Sequence, residues 1–151
     1  MKRFDLVVAL LAALPVAASA DPPPPAAAPP VATEAAPRIS QADLLAKLGK
    51  QPAVVVLDVR TPAEFAAGHV PGARNVSHDQ IAERLGELGP LRDQEVVLYC
   101  RSGRRVALAE DVLRKAGFTK LRHLDGDWLD WEAQKRPVET APAPAPAASP
   151  N

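Results

Sequence analysis

A single cysteine, Cys100, stands in the run Val96-Val97-Leu98-Tyr99-Cys100-Arg101-Ser102-Gly103-Arg104-Arg105. An apolar, strand-like segment delivers the thiol into a turn where Gly103 permits a tight backbone path, and a helical pattern begins at once. Successive amide N–H groups in such a turn point inward as a nest for an anion, and the positive end of the next helix adds to it. Arg101, Arg104 and Arg105 raise the local potential further. Each influence favours thiolate over thiol, and the thiolate is the nucleophile. An inert buried cysteine should instead lie mid-strand or mid-helix among apolar side chains. The Arg-Ser-Gly-Arg-Arg that follows argues for a reactive one.

Two chemistries use a cysteine in an anion-binding loop, and spacing separates them. Phosphatases of the Cys-x5-Arg type, and arsenate reductases, need an arginine six places on to embrace a tetrahedral oxyanion. Here that place holds Val106, and Arg105 falls one residue short. A smaller loop is a tighter nest and suits sulfur transfer better. The thiolate would attack the outer sulfur of a donor such as thiosulfate, expel sulfite and keep the sulfur as a persulfide. Cyanide or a thiol would then remove it. Cys100 is thus the candidate catalytic residue, with Arg101, Ser102, Gly103, Arg104 and Arg105 as substrate-binding residues.

Other residues invite plainer readings. Asp58 and Arg60 could tune Cys100 from a neighbouring strand end, but ion pairs are more often structural, so mutual pairing or bracing of the loop is the stronger expectation. His69 lies in the turn-like Gly68-His69-Val70-Pro71-Gly72, and His78 and His123 are isolated in the sequence. No His/Cys spacing suits a metal, so neither a metal nor another cofactor is expected. Trp128 and Trp131, three apart, should pack onto the sheet edge or the active-site loop.

The elements that must hold these residues alternate. Ser40-Gln41-Ala42-Asp43 opens a helix with a capping pattern, and Gly49 ends it. Ala53–Leu57 is a β-branched run of the kind buried on both faces of a sheet. Pro62–Ala67 is a short helix with proline in its first turn. Ala73–Ser77 reads as a short strand, His78–Leu88 as a helix and Glu95–Tyr99 as a second buried strand. Arg104–Ala116 is helical, Lys120–Leu124 a strand, and a last helix carries the tryptophans. Strands separated by helices imply an α/β fold with a parallel sheet, right-handed crossovers and helices on both faces. Ligands in such folds sit beyond the carboxyl ends of the strands, which is where Asp58 and Cys100 fall.

Composition sets the boundaries. The chain has 151 residues, 18 Lys+Arg against 18 Asp+Glu, and 17 prolines. Zero formal net charge argues against a nucleic-acid binder or a polybasic membrane-surface protein. The 47% hydrophobic share is inflated by 29 alanines. Residues 1–20 read as a cleavable signal peptide: Lys2 and Arg3, an apolar run over 6–14, then Ala18-Ser19-Ala20 as the cleavage site. The apolar run is too short to span a bilayer, so no stable membrane insertion is expected after cleavage. Residues 21–37 are expected to be a Pro/Ala-rich disordered linker and 139–151 a disordered Ala/Pro tail. The folded unit is then 38–138, a periplasmic or secreted domain expected to be a monomer.

Leu57-Asp58-Val59-Arg60-Thr61-Pro62-Ala63-Glu64-Phe65, continuing to Gly68-His69-Val70-Pro71-Gly72-Ala73, resembles the N-terminal signature of the rhodanese homology domain. Cys100–Arg105 is similar to its six-residue active-site loop, and Gly126-Asp127-Trp128-Leu129-Asp130-Trp131 with Pro137-Val138 to its C-terminal signature. The resemblance spans nearly all of 38–138. It implies a central parallel sheet of about five strands flanked by helices, and Cys100 as the persulfide carrier. Members often have Gly-Gly before the tryptophan; Asp127 here is read as altering a turn near the site more than the reaction. The resemblance also implies a thiosulfate sulfurtransferase with a thiophilic acceptor. A persulfide carrier serving a partner protein's thiol, or a binding module without turnover, is the alternative.

Overall fold

The computed structural model describes residues 35–141. The expected signal peptide, most of the linker and all of the tail beyond 141 lie outside the described residues. Five strands, β1 (Arg38–Ile39), β2 (Val55–Asp58), β3 (Arg74–Asn75), β4 (Val96–Tyr99) and β5 (Leu121–Leu124), form one sheet in the order β1-β5-β4-β2-β3. Every pairing is parallel. Between them run α1 (Gln41–Lys47), α2 (Pro62–Ala67), α3 (Leu85–Leu88) with a 3-10 turn over Gly89–Leu91, and α4 (Arg104–Lys115); α5 (Asp127–Ala133) follows β5. No helix among the described residues is long and apolar enough to cross a membrane.

The two-residue period of a strand sorts the core into two layers. Leu57 of β2, Val96 and Leu98 of β4 and the following Cys100 face Val106, Ala109 and Leu113 of α4, with Ile81 and Leu88. Val56, Val97 and Tyr99 face the other way, toward Leu44 of α1 and Trp131 of α5. All four residues of β4 are buried, as expected of a strand covered on both faces.

Local chemistry sets the helix ends. Ser40 Oγ accepts the Asp43 N–H at 3.1 Å and starts α1. Thr61 and Glu64 close a reciprocal capping box on α2, with Pro62 in its first turn, so three orphan N–H positions are satisfied or absent. The segment expected to be one helix over 78–88 is a series of turns that becomes α-helical only at Leu85–Leu88. Gly86, Gly89 and Pro90 weaken helix over that stretch, yet Ile81 and Leu88 are still fully buried. Irregular chain buries the same apolar residues.

Both boundaries reach further than 38–138. Ala36 is buried, and its N–H donates to Glu110 Oε2 at 3.0 Å. At the other end, Glu139 and His69 exchange backbone hydrogen bonds of 2.8 and 2.9 Å, and the Ala141 N–H reaches Ala66 O.

Candidate active site

The strand order reverses direction between β2 and β4: the chain goes outward from β2 to β3, then from β4 to β5 on the other side. Asp58 and Tyr99 are register partners at this switch point, the place where parallel sheets open a crevice for ligands. Cys100 follows directly. Its backbone is held from two sides by the start of α5: the N–H donates to Asp127 Oδ1 at 2.8 Å, and the carbonyl accepts the Trp128 N–H at 3.0 Å.

The loop from Cys100 to Arg105 turns back over its own sulfur. The Gly103 N–H donates to Cys100 Sγ at 3.1 Å. Gly103 has φ +94°, and a Cβ there would sit 3.2 Å from Asp127 Oδ2 and 3.3 Å from His123 Cε1. Glycine is therefore required twice, by dihedral and by space. The mouth above the sulfur, about 380 Å³, is lined by His78, Cys100, Arg101, Ser102, Arg104, Arg105 and Leu108. Cys100 itself is only 1% exposed. The thiol lies at the bottom of a basic mouth.

The arginines divide. Arg101 and Arg104 are exposed beside the mouth. Arg105 makes a two-pronged pair with Glu64, Nη1 to Oε2 at 2.7 Å and Nη2 to Oε1 at 3.0 Å. Arg105 lowers the Glu64 carboxyl from its ordinary 4.5 to about 2, with Thr61 assisting and partial burial opposing. In return Glu64 raises the Arg105 guanidinium, and Cys100 adds a smaller push in the same direction. Arg105 lines the mouth with Cys100 and at the same time is held by Glu64. Val106, six places after the cysteine, is fully buried in the core, so no guanidinium stands where a Cys-x5-Arg loop needs one.

Asp58 and Arg60 pair with each other, as expected. Arg60 Nη2 lies 2.6 Å from Asp58 Oδ2, and both side chains are almost wholly buried. Burial alone would lower the Arg60 guanidinium; the Asp58 hydrogen bonds and charge outweigh it and raise it. Arg60 also donates to Gly68 O at 2.7 Å and lies 4.3 Å over the Trp128 ring, a cation–π contact in a dry setting. The pair braces the α2 end against α5, and its Arg60 lines a second cavity of about 240 Å³ with Glu64, Arg101 and Leu129. It does not line the mouth over Cys100. Beneath it, burial pushes the Tyr99 phenol well above its ordinary value, and its oxygen accepts the Val70 N–H at 3.1 Å.

His69 is structural: Nδ1 lies 2.8 Å from Phe65 O, and the two rings stack. Trp131 is buried and Trp128 packs against the same layer. Four residues enter the site that the sequence did not assign to it: Glu64, His78, His123 and Asp127. His78 lines the mouth; its place just past β3, at the carboxyl ends of the sheet, was the available signal. His123 is isolated in sequence only, since Nε2 lies 3.0 Å from Asp127 Oδ2. Among the described residues no cluster of His, Cys, Asp and Glu could hold a metal. A cavity of about 690 Å³ opens at the other end of the sheet around Ala53, Glu95 and Lys120, away from the thiol.

The family model for the Rhodanese-like domain matches residues 40–134. A sulfurtransferase of Allochromatium vinosum is 33% identical over 100 residues, covering 66% of this chain and 92% of that protein. The crystal structure of a rhodanese-related protein from Thermoplasma volcanium superposes with a TM-score of 0.60 at 28% identity, over 70% of this chain and 99% of that one. A thiosulfate sulfurtransferase structure from Pseudomonas aeruginosa gives a TM-score of 0.61 at 30% identity, over 72% of this chain but 20% of that one. For two further relatives the match spans only 59% and 44% of their lengths. The family model covers more than half of the chain, and the Allochromatium vinosum protein is matched over nearly its whole length: this chain belongs to the rhodanese-like domain family.

Proposed function

We propose that this protein is a sulfurtransferase that accepts the outer sulfur of thiosulfate on Cys100 and passes it to a thiophilic acceptor. The observation that carries the reading is the Gly103 N–H donating to Cys100 Sγ at 3.1 Å beneath a mouth lined by three arginines. An amide aimed at the sulfur stabilises negative charge there, and exposed Arg101 and Arg104 attract a small dianion. The Cys100 thiolate attacks the outer sulfur of thiosulfate. A new S–S bond forms, the old one breaks, and its electron pair leaves with sulfite, so no general acid is needed. An incoming nucleophile then takes the outer sulfur and returns Cys100 as thiolate; cyanide would leave as thiocyanate.

Treating the purified protein with thiosulfate should raise its mass by one sulfur atom, located on Cys100. Cys100→Ser should abolish the shift while leaving the fold intact. An unchanged wild-type mass would sink this reading, and Cys100-dependent hydrolysis of an aryl phosphate would favour the phosphatase one.

A second reading keeps the persulfide but makes the acceptor a protein thiol. Leu108 on the mouth is 55% exposed, and Leu129 beside the neighbouring cavity is 45% exposed. Apolar side chains flanking a reactive group suit a protein surface better than cyanide. Competition between cyanide and candidate protein thiols for the loaded sulfur distinguishes the two. Export belongs to the same proposal: residues 1–20 act as a signal peptide, and the protein recovered from periplasm or medium should begin at Asp21.

A further inference from the structure

Asp127 breaks a local rule. It is a non-glycine residue at φ +51°, directly after Gly126 at φ +74°, in the left-handed region that side chains disfavour. Its side chain is 5% exposed. Both oxygens are committed: Oδ1 accepts the Cys100 N–H at 2.8 Å, and Oδ2 meets His123 Nε2 at 3.0 Å. The strained backbone therefore aims a buried carboxylate at the peptide of the reactive cysteine, and strain kept at such a place points to a role in function.

The pair also forms the floor of the loop. Asp127 Oδ2 and His123 Cε1 are the atoms that a Cβ on Gly103 would strike, and Gly103 is the residue whose N–H reaches the sulfur. In the next peptide unit, across the Cys100 Cα, the Trp128 N–H holds the Cys100 carbonyl, and the Leu129 N–H holds that of Arg101 at 3.2 Å. Asp127 and His123 do not line the mouth, so a bound anion would not touch them.

We infer that Asp127, held in place by His123, is a positioning residue for Cys100: it fixes the Cys100 peptide so that the loop amides converge on the sulfur. The chain of contact runs from His123 on β5, through the Asp127 carboxylate, to the Cys100 N–H at the end of β4. This inference rests on Cys100 as the sulfur-accepting residue, and its test separates the two.

Three variants of the full chain serve: Asp127→Gly, which relieves the left-handed backbone while removing the carboxylate, Asp127→Asn, which keeps an oxygen for the Cys100 N–H, and His123→Leu. Two readouts are taken: hydrogen exchange at the Cys100 amide without thiosulfate, and the rate of the thiosulfate mass shift. In Asp127→Gly the amide should exchange about tenfold faster or more, and loading at saturating thiosulfate should slow about tenfold, the equivalent of one lost hydrogen bond. The half-saturating thiosulfate concentration should not change. Asp127→Asn should recover both readouts to within about threefold of wild type, and His123→Leu should lose protection at Cys100. Wild-type protection and rate in Asp127→Gly, no recovery in Asp127→Asn, or full protection in His123→Leu would each overturn the inference. If the wild-type chain takes no sulfur at all, the functional reading fails, and amide exchange still decides the positioning role.

Discussion

Glu64 serves two elements with one carboxylate. Its Oε2 accepts from the Thr61 N–H at 3.1 Å, from Thr61 Oγ1 at 3.0 Å and from Arg105 Nη1 at 2.7 Å. It thereby starts α2 and restrains the arginine that faces the sulfur. Because its carboxyl is lowered from 4.5 to about 2, the folded state binds its proton less readily than the unfolded chain does. The stabilisation is complete above the ordinary value and is lost as the pH falls from about 4.5 toward 2. Glu64→Ala should cost about 1–2 kcal/mol at neutral pH, from a lost cap and a partly exposed ion pair. Acid titration of urea stability should show a shallower slope in that window than wild type; an identical slope would contradict the linkage. Glu64 and Asp127 went unassigned in the sequence because each acts through a partner far along the chain, and His123 because it acts through Asp127. Glu64 and Arg105 are separated by 41 positions, Asp127 and Cys100 by 27. The cysteine loop was legible because its thiol, glycine and arginines are contiguous.

Among the elements, the strands that carry the site were the easiest to read. β2 and β4 are covered on both faces, so an unbroken apolar run marks them. β1 left no such mark: two residues, one exposed and one buried, give no period to detect. The stretch over 78–88 misled for a different reason, since Ile81, Leu85 and Leu88 have helical spacing but are buried by turns and a single helical turn. α5 does the most for the site relative to its length. Its first turn holds Cys100 and Arg101, and its buried Trp131 donates from Nε1 to Pro137 O at 2.9 Å, fixing the returning C-terminal strap. Trp131→Phe keeps most of the buried ring and removes that donor, so a loss of about 1–2 kcal/mol is expected, read by denaturant unfolding. A loss above about 4 kcal/mol would mean that core packing dominates.

At the scale of the molecule, the domain is closed by contacts at its two ends rather than by its strands alone. Glu139 pairs with His69 and accepts the Gly72 N–H at 2.9 Å through Oε2, tying the C-terminal strap to the turn between α2 and β3. A chain ending at Val138 should therefore melt several degrees below one ending at Ala141, since about 1–2 kcal/mol moves a domain of this size by that much. Equal melting temperatures would show the strap to be dispensable. Zero net charge over the whole chain gave no hint of an anionic ligand, because the arginines around one thiol are balanced by acids placed elsewhere.

The sheet's two outer strands, β1 and β3, are two residues long. An unpaired strand edge is a template on which another chain can crystallise into fibres or aggregates, and its danger grows with the length of backbone it presents. Here each rim offers scarcely one hydrogen-bonding repeat. Partial unfolding from either side therefore exposes little that a second copy could extend. The short rims thus leave a second copy little backbone to pair with, and they limit edge-to-edge association.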